Sequence, residues 1–66
     1  MKTVYDVRQL LKRFSIFIYT GNRIADLDLM EDELKDLYKV NLIESEEFQK
    51  AILILRHERN NQIGKI

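Results

Sequence analysis

Apolar residues recur at helical spacing in three stretches of this chain. Val4, Val7, Leu10, Leu11 and Phe14 fall on one face when the chain is turned through about 100° per residue. That spacing predicts a first helix over residues 3–14. It starts at Thr3, whose hydroxyl suits the backbone N–H of Asp6, and an acid at Asp6 suits the positive end of a helix. The pattern stops at Ser15. Ser15-Ile16-Phe17-Ile18-Tyr19 is rich in β-branched and aromatic residues with no polar residue at helical spacing. Thr20-Gly21-Asn22 then reads as a turn that ends on a capping residue. Residues 15–21 are therefore expected to be an extended connection packed over the other elements, the alternative being a first helix that runs on through Tyr19.

Ile24, Leu27, Met30, Leu34, Leu37 and Tyr38 form the stripe of a second helix, predicted over residues 22–41. Its acids come early and Lys35 and Lys39 come late, an order that complements the helix dipole. Asn41 is expected to cap its C-terminus. The short link Leu42-Ile43 makes helices two and three antiparallel neighbours. The third helix is predicted over residues 45–59, with Phe48, Ala51, Ile52 and Leu55 inward. Ser45 is the better cap by propensity. A Glu44 cap would instead place Ile43 and Phe48 as a hydrophobic staple, with Glu47 completing half of a capping box. Residues 60–66 are expected to fray. The fold class is thus all-α, a small three-helix bundle in a single domain, with an extended connection between helices one and two.

Several apolar residues fall off these stripes. Leu29 and Val40 lie opposite Leu34, Leu53 lies opposite the inward face of helix three, and Ile54 sits off its centre. Either the 15–21 segment or a broad core covers them, or they form a homodimer or partner surface. The thin core expected of 66 residues makes self-association a natural question.

Composition narrows the function classes. Cysteine and proline are absent and glycine occurs twice. Thiol catalysis and zinc–thiolate sites are excluded, and the lack of disulfides points to a reducing cytoplasm. Met1-Lys2 leads into Thr3-Val4 without the apolar segment of an export signal, and no apolar run is long enough to span a bilayer. Eleven basic and eleven acidic residues give zero net charge, which argues against a globally basic nucleic-acid binder. The balance is uneven along the chain, however. Residues 1–20 carry four basic residues against one acid, and residues 21–40 carry three against six.

The order of motifs resembles the YqgQ-like family. The residues that carry it are Phe17-Ile18-Tyr19-Thr20-Gly21, Arg23-Ile24-Ala25-Asp26-Leu27 and Leu29-Met30-Glu31-Asp32-Glu33. Tyr5-Asp6-Val7 with Leu10-Leu11, and Phe48 with Ala51-Ile52-Leu53, are similar too, so the resemblance runs from Thr3 to Arg59. Members tend to carry proline early in the third helix, where this chain has Ser45. The resemblance implies short cytosolic proteins of Gram-positive bacteria, a three-helix bundle, and single-stranded nucleic-acid binding.

Four features are candidate sites. Tyr5, Arg8, Gln9 and Lys12 lie along one face of helix one, flanked by Arg13. Cations beside an aromatic ring are what a single strand needs, phosphates on the cations and a base on the ring. An ordinary solvated helix face explains the same residues. The turn Tyr19-Thr20-Gly21-Asn22-Arg23 enters a helix N-terminus, where free N–H groups, Gly21 and Arg23 suit an anion, although Asn22 serves equally as a plain cap and Asp26 and Asp28 repel an anion. The acids Asp26, Asp28, Glu31, Asp32 and Glu33 read as a solvated face or as a surface for a basic protein. His57 has no second histidine or cysteine with which to hold a transition metal. No nucleophile–base pair is evident. The sequence therefore predicts a non-enzymatic binding module without metal or cofactor. Its nucleic-acid-binding residues are expected to be Tyr5, Arg8, Lys12, Arg13, Tyr19, Gly21, Asn22 and Arg23. A protein-interaction module is the alternative.

Overall fold

The computed structural model describes residues 1–64 and contains three helices: α1 (Val4–Lys12), α2 (Arg23–Lys39) and α3 (Ser45–Ile63). It is an all-α three-helix bundle in which α2 and α3 share the most extensive interface and α1 packs across both. The connection over residues 15–21 is not helical, so α1 does not run on through Tyr19.

Each helix begins where the local chemistry satisfies its free N–H groups. Thr3 caps α1. The Asp6 N–H donates to Thr3 Oγ1 at 3.3 Å, and Asp6 Oδ2 accepts from the N–H groups of Thr3 and Lys2 at 3.1 and 2.8 Å. These bonds, first the one from Lys2 and then the one from Thr3, hold the Asp6 carboxyl below its ordinary range. Asn22 caps α2 by accepting from the Ala25 N–H at 2.9 Å. For α3 the staple wins over intrinsic serine propensity. Glu44 is the N-cap, its N–H donates to Glu47 Oε1 at 3.4 Å, and Ile43 is buried.

The ends are set by two non-glycine residues in the left-handed region, Ser15 (φ 60°) and Asn41 (φ 62°). At Ser15 the chain reverses with Ser15 N–H donating to Lys12 O at 2.9 Å and Ile16 N–H to Leu11 O at 3.1 Å. At Asn41 the same pair of bonds recurs, to Tyr38 O at 3.0 Å and, from Leu42 N–H, to Leu37 O at 2.9 Å. Both are Schellman reversals. They end α1 at Lys12 and α2 at Lys39, two residues short of the boundaries the periodicity suggests, and make Val40 the C-cap with Asn41 one position beyond it. In the other direction α3 outruns its expected end. Residues 60–63 are helical, Gln62 bonds Glu58 one turn back at 2.9 Å, and Gly64 closes the helix. Polar side chains at 60–62 do not oppose helix when no glycine or proline intervenes. The rest of the expected frayed tail, Lys65 and Ile66, lies outside the described residues.

The core is built from the predicted stripes. Val7, Leu11, Leu27, Met30, Leu34, Ala51 and Leu55 are almost fully buried, and Phe14, Ile16, Ile18, Phe48 and Ile54 pack around them. Tyr38 stacks flat on Phe48, with ring centroids 4.4 Å apart, and closes one end of the α2–α3 seam. Leu29, Val40 and Leu53 remain exposed, so neither a broad core nor the 15–21 segment covers them. Ile54 alone among the off-stripe residues is packed against the core. No helix among the described residues is long and apolar enough to cross a membrane.

Two stability outcomes follow from this packing. Leu34→Ala, which empties a fully buried site between α2 and its neighbours, should cost about 2–5 kcal/mol in denaturant unfolding, enough to unfold most of a domain this size. Ser15→Gly should raise stability by about 0.5–1 kcal/mol, because glycine adopts a positive φ without strain. Asn41→Gly should gain less, since asparagine tolerates that region better than serine.

Candidate nucleic-acid interface

The candidate interface is the connection between α1 and α2, together with the α1 face beside it. Its geometry begins with Ser15, whose positive φ turns the chain out of α1 into an extended strap, residues 16–20. Exposure along the strap alternates. Ile16 and Ile18 are half-buried against the core, while Phe17 and Tyr19 are 73% and 86% exposed. This is the period of two expected of extended backbone.

Two side chains from different helices pin the strap. Arg8 of α1 donates from its guanidinium to Ile18 O at 2.7 Å. Asp26, in the first turns of α2, accepts from both the Thr20 hydroxyl and the Thr20 N–H through Oδ1, at 2.6 and 2.7 Å. Arg8 also faces Asp26 Oδ2 at 3.7 Å. Asp26 is 3% exposed and is the one buried charged residue among the described residues. The Thr20 hydroxyl bond, then the Thr20 backbone bond, hold its carboxyl below the ordinary value, and the charges of Arg8 and Arg23 act in the same direction against the cost of burial. A carboxylate this enclosed is stable only because donors and cations surround it. Asp26 is thus no part of a solvated acidic face, as its neighbourhood in the sequence suggested. Gly21 (φ 86°) then reverses the chain into the Asn22 cap.

The sequence-predicted residues separate into three groups in space. Arg8 and Lys12 line a groove of about 390 Å³ with Phe17 and Tyr19 of the strap, over a floor that includes Leu11 and Met30. Tyr5, 67% exposed, borders a different groove of about 540 Å³ with Lys2, Arg23, Leu53 and His57. Arg13 and Gln9 belong to a third hollow, next to Asp6 and Glu47. Most of the cations are also engaged internally. Arg13 pairs with Glu47 at 3.6 Å and lies over the Phe14 ring, and Arg23 pairs with Glu58 at 3.5 Å. Lys12 is exposed and enters no ion pair among the described residues. Asn22 and Gly21 have full structural explanations as cap and turn.

The acidic half of α2 is similarly neutralised. Asp28 accepts from Arg59 at 2.7 Å, and Glu31 holds both Arg56 and Lys35 at 3.2 Å. The charge split along the sequence is therefore cancelled at Asp26, Asp28 and Glu31, whereas Asp32, Glu33 and Asp36 enter no ion pair among the described residues.

Sequence reasoning missed two residues. Phe17 belongs to the segment expected to pack over the other elements, although its alternation with Ile16 and Ile18 signals an outward ring. Asp26 reads as one of an acidic cluster with its neighbours, although Asp26, Met30 and Leu34 stand at i, i+4 and i+8, which places an acid within an apolar stripe.

A family model described as YqgQ-like matches residues 1–61. The uncharacterized protein YqgQ of Bacillus subtilis (strain 168) is 47% identical over 58 residues, which cover 88% of this chain and 82% of that protein.

The clamp has a pH signature. Because the folded Asp26 titrates below its ordinary value of 3.8, its contribution is fully present above that value and is lost as pH falls through the folded one. Stability should therefore drop in acid below about pH 4, and Asp26→Asn should be less stable at neutral pH with a flatter acid limb in urea titrations. Thr20→Val, which removes the hydroxyl donor and keeps the shape, should cost about 1 kcal/mol by the same measurement.

Proposed function

We propose that this chain, which belongs to the YqgQ-like family, is a small binding module for single-stranded nucleic acid, with the pinned strap as its stacking platform. The observation that carries the reading is the pair of outward rings, Phe17 and Tyr19, held beside the unpaired Lys12 on a strap that Arg8 and Asp26 fix in place. Stacking on aromatic faces tolerates any base, and a nearby cation meets the phosphate that follows. Holding the rings in place beforehand lowers the ordering cost of binding. Arg8 acts here chiefly as a positioning residue, because its guanidinium is committed to Ile18 O and Asp26. Tyr5 and Arg23 extend the surface along the next groove, where the Arg23–Glu58 pair is surface-exposed enough to exchange for a phosphate.

A second reading is a protein-interaction module. It draws on the exposure of Leu29, Val40 and Leu53 and on the unpaired acids Asp32 and Asp36. It does not use the rings of the strap, so the two readings predict different variants to matter.

Fluorescence-anisotropy titration of single-stranded DNA and RNA oligonucleotides at two salt concentrations separates them. Contacts to about two phosphates should give a slope of log Kobs against log salt near −1.4. Lys12→Ala should reduce that slope by about 0.7. Phe17→Ala or Tyr19→Ala should weaken binding roughly ten-fold while leaving stability nearly unchanged. Absence of binding to any single strand at low salt overturns the reading and leaves the protein-interaction module in front.

A further inference from the structure

The strap has a second property that the stacking reading does not use, namely how its backbone polar groups are spent. Ile16 donates its N–H to Leu11 O, Ile18 accepts from Arg8 through its C=O, and Thr20 donates its N–H to Asp26. Among the described residues, every internal bond of the strap thus falls on residues 16, 18 and 20. In extended backbone the N–H and C=O of alternate residues point to the same edge. The edge at 16, 18 and 20 faces the helices. The opposite edge carries the N–H and C=O of Phe17 and Tyr19, and no hydrogen bond among the described residues reaches any of them.

Natural edges of this kind are usually guarded by a charge, a proline or a bulge. Ile16-Phe17-Ile18-Tyr19-Thr20 contains none of these and consists wholly of β-branched and aromatic residues, the composition that pairs most readily. The strap is also pre-extended, so pairing requires little reordering.

We infer that the free edge at Phe17 and Tyr19 is an antiparallel pairing site for a second copy of this chain. The occupant follows from self-complementarity. A two-fold axis at Ile18 sets Phe17 opposite the partner's Tyr19 and Tyr19 opposite the partner's Phe17. Both are hydrogen-bonded pairs, each exchanging N–H···O bonds in both directions. Ile18 meets its own copy between them. The ring side chains stand perpendicular to the paired strands, so the two copies contribute Phe17 and Tyr19 to one face. Short edges bury little area, so the dimer is a weak, concentration-dependent one.

The test needs no nucleic acid, so it can fail while the stacking reading stands, and the reverse. Sedimentation equilibrium of the full chain from about 10 µM to about 1 mM should show the average mass rising from 7.9 kDa toward twice that value. Over the same range the Phe17 and Tyr19 amides should gain at least about ten-fold protection from hydrogen exchange. Phe17→Pro should abolish association, because it removes one edge donor at an extended position whose N–H has no internal partner. Phe17→Ala keeps the backbone donor and should still associate. Tyr19→Pro replaces Phe17→Pro should that variant fail to fold by circular dichroism. A chain that stays monomeric over the whole range overturns the inference. So does a dimer that survives both proline variants, which would place the contact at Leu53, Val40 or another surface. Equal loss on Phe17→Ala and Phe17→Pro would assign association to the ring and overturns it as well.

Discussion

A single buried carboxylate organises the half of this protein that carries its candidate interface. Asp26 lies in the first turns of α2, within the apolar stripe, and has left water almost completely. Such a charge is unstable in a core unless its oxygens are fully engaged. The fold engages them from two directions, with Thr20 from the strap and Arg8 from α1. The same requirement therefore fixes three elements at once: the register of α1 against α2, the end of the strap, and the start of α2 through Gly21 and Asn22. Arg8 completes the arrangement by holding Ile18 O. Without the clamp, Ile16 and Ile18 would still favour burial, but nothing directional would decide which residues of the strap face outward.

The remaining architecture is economical in the way a short chain without disulfides must be. Each helix start is capped by residues within one turn of it, and two reversals at Ser15 and Asn41 replace the glycines or prolines that usually stop helices. Ion pairs join α2 to α3 at Asp28–Arg59, Glu31–Arg56 and Arg23–Glu58. Individually these surface pairs contribute about 0–1 kcal/mol. Their larger effect is on charge distribution. They offset much of the charge of a chain that is basic in its first third and acidic in its second, while Lys12, in the groove beside the strap, enters no ion pair among the described residues.

The strap links structure to the proposed function because its two edges and two faces have different fates. One face, Ile16 and Ile18, belongs to the core. One edge, residues 16, 18 and 20, is bound to the helices. The other face presents Phe17 and Tyr19, and the other edge presents their unpaired backbone groups. Rigidity on the inner side is what gives the outer side a defined geometry for ligand or partner.

The amino-acid sequence alone determined the three helices, their inward stripes and the Thr3 and Asn22 starts, because 3.6-residue spacing and capping are local properties. Between Ser45 and Glu44 as the third cap it left both open, and the buried Ile43 decided for Glu44. The non-helical nature of residues 15–21 was equally legible from their β-branched and aromatic run. The reach of α3 to Ile63 was not, since polar residues at 60–62 are compatible with helix and coil alike. Only the tertiary structure decided which cations are available. Arg8, Arg13 and Arg23 look equivalent along the chain, yet each meets an acid from another helix, and Lys12 does not. The spacing of Asp26 with Met30 and Leu34, and the alternation of Phe17 with Ile16 and Ile18, give each side chain a direction, but only the tertiary structure brought Arg8 and Thr20 to the buried Asp26 carboxylate and set Phe17 and Tyr19 beside Lys12. These outcomes depend on distances between residues far apart in sequence. Spacing along one helix fixes a direction around its axis, and what waits in that direction is set by how the helices pack.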